Sequence, residues 1–174
     1  MPAVDHTELL AEPVAQALSV LPDTERVGVA EIDPCLSDTA AFCSEYAVDL
    51  SQAANCIIVE AKQGERRWLA ACIILGDTRA DINGVVRHTL DARRVSFASM
   101  EKAIAETGME YGAITPIGLP PSWPILVDQA VVDLPAVIIG SGIRKSKIVV
   151  PGSFLASLPN TQVIAHLASK REAR

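Results

Sequence analysis

The segment from Thr107 to Pro120 contains the residues whose types and spacing are best suited to chemistry. It holds three glycines and two prolines. Glycine permits positive φ angles and close approach to the backbone, whereas proline fixes φ, so the mixture predicts an ordered and shaped loop. Such a loop can direct several backbone N–H groups at one reacting atom. The alternative is a surface connection that turns twice and carries no chemistry.

The other residue types that commonly do chemistry do not form recognisable patterns. The chain has four cysteines and three histidines, with no C-x-x-C pair and no cysteine at metal-ligand spacing from a histidine. We therefore expect free thiols, no metal and no cofactor. Neither G-x-G-x-x-G between a strand and a helix nor G-x-x-x-x-G-K-[ST] occurs, so the glycines do not predict a nucleotide-binding motif.

Single polar residues are weaker candidates. Ser141 is not expected to be a nucleophile, because no histidine has a sequence context that makes it a partner. Asp77, Asp81 and Asp128 are candidate acids, but each also stands where a helix cap or a strand end is expected. We favour the structural interpretation for these three carboxylates.

Charge is distributed unevenly along the chain. The formal net charge is −6, but residues 1–60 carry −10 and residues 61–174 carry +4. The basic residues of the second part form four clusters: Arg66-Arg67, Arg87-His88, Arg93-Arg94 and Arg144-Lys145-Ser146-Lys147. These clusters can contact phosphates if the fold gathers them on one face. The alternative is that they are solvated charges on strand ends and helix faces.

Composition predicts one domain with a sizeable aliphatic core. Of the 174 residues, 49% are hydrophobic and only 4% are aromatic, so the core must consist of Ala, Val, Ile and Leu. No apolar run approaches the roughly 20 residues that cross a bilayer. The first residues lack the basic start and apolar centre of a signal peptide. We expect a soluble cytoplasmic protein.

Helical and strand-like segments interleave along the sequence. The predicted helices are Thr7 to Leu21, a helix capped by Ser37 or Asp38 that ends at Tyr46, one capped by Asp81, one from Ser99 to Glu106 followed by Gly108, and Pro151 to Leu158. Pro13 lies inside the first of these, so that helix either starts late or kinks there. The predicted strands are Val27 to Ile32, Cys56 to Glu60, Trp68 to Leu75, Trp123 to Val127, Ala136 to Ile139, Lys147 to Val150 and Gln162 to Leu167. Short connections between strands require antiparallel pairing, which favours a mixed α+β sheet with helices outside it.

Three segments together resemble the YbaK/EbsC family of aminoacyl-tRNA deacylases, which includes free-standing relatives of the editing domain of bacterial prolyl-tRNA synthetase. They are Arg93-Arg-Val-Ser-Phe-Ala-Ser99, the loop Thr107-Gly-x-x-x-Gly-Ala-Ile-Thr-Pro-Ile-Gly118, and Val137-Ile-Ile-Gly-Ser-Gly-Ile-Arg144. The resemblance spans about residues 25–167, with an N-terminal helix in residues 1–24. It implies one domain over residues 1–174, with a curled, barrel-like mixed sheet flanked by helices.

The resemblance also implies a cytoplasmic hydrolase that cleaves the ester between a wrong amino acid and the 3′ end of tRNA. Ester hydrolysis builds negative charge on the carbonyl oxygen, which backbone N–H groups can stabilise. The resemblance places this donor at Gly112, with Ala113 beside it, and requires neither metal nor cofactor. The substrate-binding residues that it implies are Phe97, Thr107, Gly108, Ile114, Thr115, Pro116, Gly118, Leu119, Gly140, Ser141 and Gly142. The size of the apolar pocket, to which Ile139 would also contribute, would select the amino acid.

The chain departs from the family pattern at two positions. Asn55 stands where relatives usually carry a lysine that is tied to activity; asparagine can position a hydroxyl, a phosphate or a water, but supplies no charge. It can equally satisfy its own backbone at the start of a strand. Lys62, Arg79 and Lys145 are candidates to supply the missing charge. Gly140 stands where some relatives have serine, so either Ser141 replaces that hydroxyl or the pocket is wider there.

Two other functions remain compatible with the sequence. The chain can be a binding module that kept the fold and lost the lysine-dependent chemistry, and that binds tRNA, an aminoacyl ligand or a protein. It can also hydrolyse other small aminoacyl esters or amides, an alternative that the acidic first 60 residues keep open.

Overall fold

A long antiparallel hairpin forms the centre of the fold. The computed structural model describes residues 1–171. The hairpin strands are β2 (Ala54–Gln63) and β3 (Arg66–Leu75), joined at Gly64, whose φ is +60°. Ile58 and Ile73 face one apolar cluster while Val59 and Cys72 face another. Burial on both faces explains the nearly continuous apolar runs and confirms the predicted hairpin.

The remaining strands extend this hairpin or form separate sheets. They are β1 (Gly28–Glu31), β4 (Thr78–Ala80), β5 (Arg94–Phe97), β6 (Ile125–Asp128), β7 (Val137–Gly140), β8 (Ser146–Val150), β9 (Thr161–Ile164) and β10 (Ala168–Lys170). The five-stranded sheet has the order β5-β2-β3-β6-β9, with β3, β6 and β9 parallel. A second sheet has the order β1-β8-β7, and β10 pairs with β4. The sheet is therefore mixed, as predicted.

The expected barrel-like closure is not confirmed. On the edge of β2 opposite β3, strand β5 pairs only with residues Val59 to Lys62. Strand β7 reaches the same edge through a single bridge between Ile138 and Ala53. In the described part of the chain, no strand pairs with the β2 segment between these two contacts. This gap in the hydrogen-bonding edge separates the two larger sheets.

The helices follow the capping signals in the sequence closely. They are α1 (Glu12–Leu18), α2 (Thr39–Glu45), α3 (Arg87–Thr89), α4 (Met100–Thr107), α5 (Gln129–Val132) and α6 (Gly152–Ala156). Asp38 Oδ1 accepts hydrogen bonds from the first N–H groups of α2, and Ser99 Oγ accepts one from Lys102 N. Gly108 ends α4 with a φ of +66°. Both predicted helices are confirmed, because side-chain caps are local interactions.

Several predicted boundaries are wrong for identifiable reasons. Thr7 starts a 3₁₀ turn and is not the cap of α1, which begins only at Glu12. Of the two alternatives for Pro13, the late start is confirmed, because proline is accommodated in the first turn of a helix and not in its interior. Asp81 caps one π-helical turn, Ile82–Val86, which continues into the short α3. Residues 162–167 do not form one strand: β9 ends at Ile164, and His166 turns the chain with a φ of +59° before β10.

The N-terminal segment belongs to the same domain as the rest. The main apolar cluster includes Ala3, Leu9 and Val14 together with residues as distant in sequence as Leu158. Within residues 1–171, no helix has the length and hydrophobicity that a membrane span requires.

Candidate functional site

The gap on the edge of β2 opens into a pocket of about 420 Å³. Its floor consists of β2 residues 54–58, and the ends of β5 and β7 flank it on either side. The Gly/Pro loop and the starts of α2 and α4 complete the wall. The residues that contribute from outside β2 are Asp38, Thr39, Phe97, Ala98, Met100, Ala103, Tyr111, Gly112, Ile114, Gly140 and Lys147.

Gly112 lines this pocket and is exposed. Its φ is +84°, a left-handed conformation that strongly favours glycine. A Cβ at this position would lie 3.3 Å from Ser37 Oγ and 3.4 Å from Arg144 Nη1. Among residues 1–171, no acceptor forms a hydrogen bond with the Gly112 N–H. An exposed, unpaired donor on a glycine of restricted conformation is suited to an oxygen of a ligand.

Ala113 differs from its neighbour. Its N–H already donates to Glu110 O at 3.0 Å, and its carbonyl accepts from Gly142 N at 2.8 Å. The residue is buried and does not line the pocket. The expectation that the amides of Gly112 and Ala113 act together is therefore not supported, because the second N–H is used in a turn.

Asn55 lies on the floor of the pocket, at the start of β2. Its Oδ1 accepts a hydrogen bond of 2.6 Å from Thr39 Oγ1 on α2. The Asn55 side chain thus forms a hydrogen bond to the neighbouring helix α2. The alternative, in which it satisfies its own backbone at the start of the strand, is not supported. Since Oδ1 is occupied, the Nδ2 group is the part of the amide that is free to donate to a ligand.

Lys147 is the cation that reaches the pocket, and the sequence did not single it out. Its side chain is only 8% exposed, and its Nζ donates to Ser37 O at 2.7 Å. Burial lowers the pKa of this ammonium below the usual lysine range, and the Asp38 carboxylate opposes the shift. None of the three proposed substitutes, Lys62, Arg79 and Lys145, lines the pocket. One feature of the sequence could have identified it: Lys147 is the first residue of the predicted strand Lys147 to Val150, whose other residues are apolar.

The two candidate positions at the end of β7 have structural roles. A Cβ at Gly140 would overlap the carbonyl oxygen of Ala113, so the loop backbone packs directly on this strand and occupies the space that a side chain would need. Ser141 is fully buried, and its Oγ bonds to Ile143 O at 3.0 Å and to Ser146 Oγ at 2.7 Å. The structure therefore gives neither a replacement hydroxyl nor a wider pocket here.

The other predicted substrate-binding residues divide into two groups. Phe97 and Ile114 line the pocket, and Phe97 is 66% exposed at its outer edge. The remaining ones do not line it: Thr107, Gly108, Thr115, Pro116, Gly118, Leu119, Ile139 and Gly142. Gly118 and Gly142 instead pack closely against the start of α1, where a Cβ would overlap its atoms.

No side chain of the pocket is poised as a nucleophile. Burial raises the pKa of the Cys56 thiol, so this residue is not a thiolate at neutral pH. The carboxylates considered earlier are engaged elsewhere: Asp81 and Asp128 accept backbone N–H groups, and Asp77 pairs with Lys170. Within the described residues, no three His, Cys, Asp or Glu side chains group into a metal-binding cluster.

A second feature lies farther along β2. Lys62 stands directly opposite Arg67 on β3 and Arg94 on β5. We call these three residues the basic row. Direct cross-strand partners share a face of the sheet, and like charges in such positions are destabilising. Glu60 offsets part of this repulsion through ion pairs of 3.2 Å with Arg67 and 3.0 Å with Lys102.

Comparisons with solved structures show the same fold in several proteins. One is described as a candidate trans-editing enzyme for prolyl tRNA synthetase; it is 18% identical, with a TM-score of 0.74, and the alignment covers 89% of this chain and 94% of that one. A scaffold protein from computational epitope grafting is also 18% identical, with a TM-score of 0.75 and coverages of 89% and 95%. A hypothetical protein is 19% identical, with a TM-score of 0.74 and coverages of 88% and 95%.

The sequence itself also matches a family model. No curated protein sequence is similar enough to match the chain. The model of the aminoacyl-tRNA editing domain matches residues 33–157, a segment that includes β2, α4, the Gly/Pro loop and β8. Since this match covers most of the chain and agrees with the resemblance in the three sequence segments, the chain belongs to the aminoacyl-tRNA editing domain family.

Proposed function

We propose that this protein is a trans-editing hydrolase that cleaves the ester of mischarged aminoacyl-tRNA. The observation that carries the proposal is the pocket at the edge of β2, where the unpaired N–H of Gly112 and the side chain of Asn55 converge from distant parts of the chain. Family membership gives the class of substrate, and the pocket gives a place for its reacting end.

In this mechanism a water molecule attacks the ester carbonyl. The new carbon–oxygen bond forms as the carbonyl oxygen gains negative charge, and the bond to the terminal ribose then breaks, which releases the amino acid and the tRNA hydroxyl. Gly112 N–H donates to the developing oxyanion, an interaction worth about 3–4 kcal/mol. Water is the assigned nucleophile because the Cys56 thiol is protonated and Asp38 Oδ1 already accepts N–H groups of α2.

Asn55 positions the end of the tRNA in this mechanism. Thr39 orients its amide by the hydrogen bond to Oδ1, so that Nδ2 can donate to a ribose hydroxyl or to a phosphate oxygen. The apolar residues Phe97, Ile114 and Ala103 form the surface that contacts the amino acid. An apolar wall of this kind discriminates one methylene by about 1–3 kcal/mol, which suits removal of a smaller or larger amino acid than the correct one.

The basic row supports a nucleic-acid substrate despite the net charge of −6. Lys62 and the pocket residue Ile58 lie on the same face of β2, because side chains alternate along a strand. Ile58 and Lys62 are four residues apart, which corresponds to about 13 Å along the strand. A polyanion whose 3′ end enters the pocket can therefore place backbone phosphates over the row, where they would compensate the mutual repulsion of the three cations.

A non-catalytic binding module is the second candidate. Asn55 favours it, since this position lacks the charge that the resemblance associates with activity. Such a module would bind its ligand in the same pocket and along the same basic row, but without turnover.

A deacylation assay separates the two functions. Ala-, Cys- and Ser-charged tRNAs, with correctly charged tRNA as the control substrate, are incubated with the native chain. The hydrolase predicts loss of amino acid from at least one mischarged tRNA and protection of the control. Binding of these tRNAs without any turnover would overturn the catalytic proposal in favour of the binding module.

A further inference from the structure

Lys147 is a buried charge that lacks a protein counter-ion. Its ammonium can donate three hydrogen bonds, and one of them goes to Ser37 O at 2.7 Å. The ring of Phe42 contributes a weaker contact, with its centroid 5.5 Å from Nζ. Within residues 1–171, no carboxylate lies within 4 Å of this group. Burying an ammonium in this way is costly unless a further partner completes its interactions.

The neighbouring charged and titratable groups do not provide that partner. Asp38 lines the same pocket, but its carboxylate caps α2 by accepting hydrogen bonds from Ala40 N and Ala41 N. Cys43 lies on the same helix, and burial raises the pKa of its thiol, so it carries no negative charge at neutral pH. Arg144 is a second cation; its guanidinium donates to Pro34 O and Tyr111 O near Gly112. Among residues 1–171, Lys147 therefore has no carboxylate as a direct partner, although Asp38 stabilises its charge from a longer distance.

The position of Lys147 limits where a direct anionic partner comes from. Lys147 pairs with Gly140 across β7 and β8, and both residues line the pocket, together with Asn55 and Gly112. A ligand in this pocket can therefore contact the Lys147 side chain. Asp38 and Lys147 are the charged side chains among the residues that line the pocket, so no second cation of the lining competes with Lys147 for an anion.

We propose that Lys147 binds the phosphate that precedes the terminal nucleoside of the tRNA, and so serves as the anion anchor of the pocket. This inference rests on the proposed function. An aminoacyl-tRNA end carries a cationic amino group on the amino acid and anionic charge on its phosphates, so an ammonium attracts the phosphate and repels the amino group. The charge that is absent at Asn55 is thereby supplied by strand β8.

The test compares binding of adenosine and adenosine 5′-monophosphate to the full chain, by calorimetry or chemical-shift titration. These two probes differ only in the phosphate. We expect the native chain to bind the monophosphate about tenfold more tightly, as a charge-assisted hydrogen bond would give. Lys147→Met should remove this preference and leave the affinity for adenosine unchanged. Lys145→Met, which removes an exposed charge two residues away, should keep it.

Folding and alternative roles are controlled in the same experiment. Lys147→Gln is a second neutral variant that can still donate to Ser37 O, and it should behave like Lys147→Met. A native chain that binds both probes equally, or variants that lose both probes equally, would overturn the anchor. If instead Lys147→Met lowers only kcat in deacylation and not the preference for the phosphate, the lysine acts on the reacting ester and the assignment is wrong.

Different experimental outcomes reject the phosphate-binding role of Lys147 and the hydrolase proposal. If the native chain prefers the monophosphate through Lys147 but deacylates no tRNA, the anchor stands and the hydrolase does not. If the chain deacylates tRNA and the preference is absent, the hydrolase stands and the anchor does not.

Discussion

The two ends of strand β2 carry positive charge in opposite ways. At the pocket end, Lys147 is a buried ammonium that donates to one oxygen, and it forms no ion pair with a carboxylate of residues 1–171. At the hairpin end, the basic row is solvent-accessible, and Glu60 compensates part of it. Exposed charges are weakly coupled and screened by salt, whereas a desolvated charge interacts strongly with one ligand group. Under the proposed function, we therefore expect the pocket to provide geometric specificity and the hairpin end to provide general attraction for a polyanion.

Each of these two regions also contains a glycine with positive φ. The largest expected effect on deacylation comes from replacing one of the two, Gly112, with alanine. Gly112 and Gly64 both have positive φ, at +84° and +60°, so alanine strains either position by about 1 kcal/mol. A Cβ at Gly64 meets nothing within 4 Å, whereas one at Gly112 presses on Ser37 and Arg144. Gly112→Ala should lower kcat for deacylation about 100-fold, because the oxyanion donor is displaced. Gly64→Ala should not.

The measurement is single-turnover deacylation of the best mischarged tRNA, with thermal unfolding of both variants as the control for strain. Equal losses of activity in the two variants would mean that Gly112 acts through stability, and the assignment of its N–H as a donor would be lost.

Adding a second charge to the pocket should have a smaller effect. Asn55→Lys places an ammonium in the pocket that already contains Lys147, and it removes the hydrogen bond from Thr39. We expect deacylation to fall by about tenfold, because the side chain that positions the tRNA end is lost and because the two ammonium groups repel each other in the free enzyme. The double variant Asn55→Lys with Lys147→Met should recover part of the loss, so the two changes should be non-additive. Activity that rises in Asn55→Lys from an inactive parent would instead favour the degenerate binding module.

The basic row should contribute smaller effects that depend on salt. Arg94→Ala or Lys62→Ala should weaken tRNA binding a few-fold, equally for charged and uncharged tRNA. Each should reduce the slope of log affinity against log salt by about 0.9, the value for one released counterion. Arg79→Ala is the matched control, since this exposed arginine lies on β4 in a separate sheet. An unchanged slope in the row variants would place the nucleic acid elsewhere.

The smallest expected effect is on stability and follows from the lowered pKa of Lys147. Between its folded pKa and the usual lysine value, the unfolded chain binds more protons than the folded chain, so the contribution of this group to stability rises with pH in that window. Lys147→Met should therefore unfold at a higher temperature than the native chain near pH 7, and the difference should narrow as the pH approaches that of an ordinary lysine. Thermal unfolding at several pH values measures this; a difference that is constant with pH would mean that the lysine is not desolvated.

Part of the fold could be predicted because the relevant interactions are local. The apolar runs on either side of Gly64, the cap of α2 at Asp38 and the end of α4 at Gly108 all concern residues within a few positions of one another. Strands β4 and β5 were not predicted. They are short, and β5 is largely exposed and polar, so its pairing with β2 gives no periodic signal.

The sequence by itself determined the family, the mixed sheet and the presence of a shaped Gly/Pro loop, because glycine, proline and capping residues act on the backbone where they stand. Only the tertiary structure decided which residues of that loop face the pocket: Gly112 does, whereas Ala113 uses its N–H in a turn. It also decided that the buried cation is Lys147. Lys147 and Asn55 line the same pocket because β8 pairs with β7 and because β7 bridges to the residue that precedes β2. Such long-range pairings cannot be predicted from local sequence.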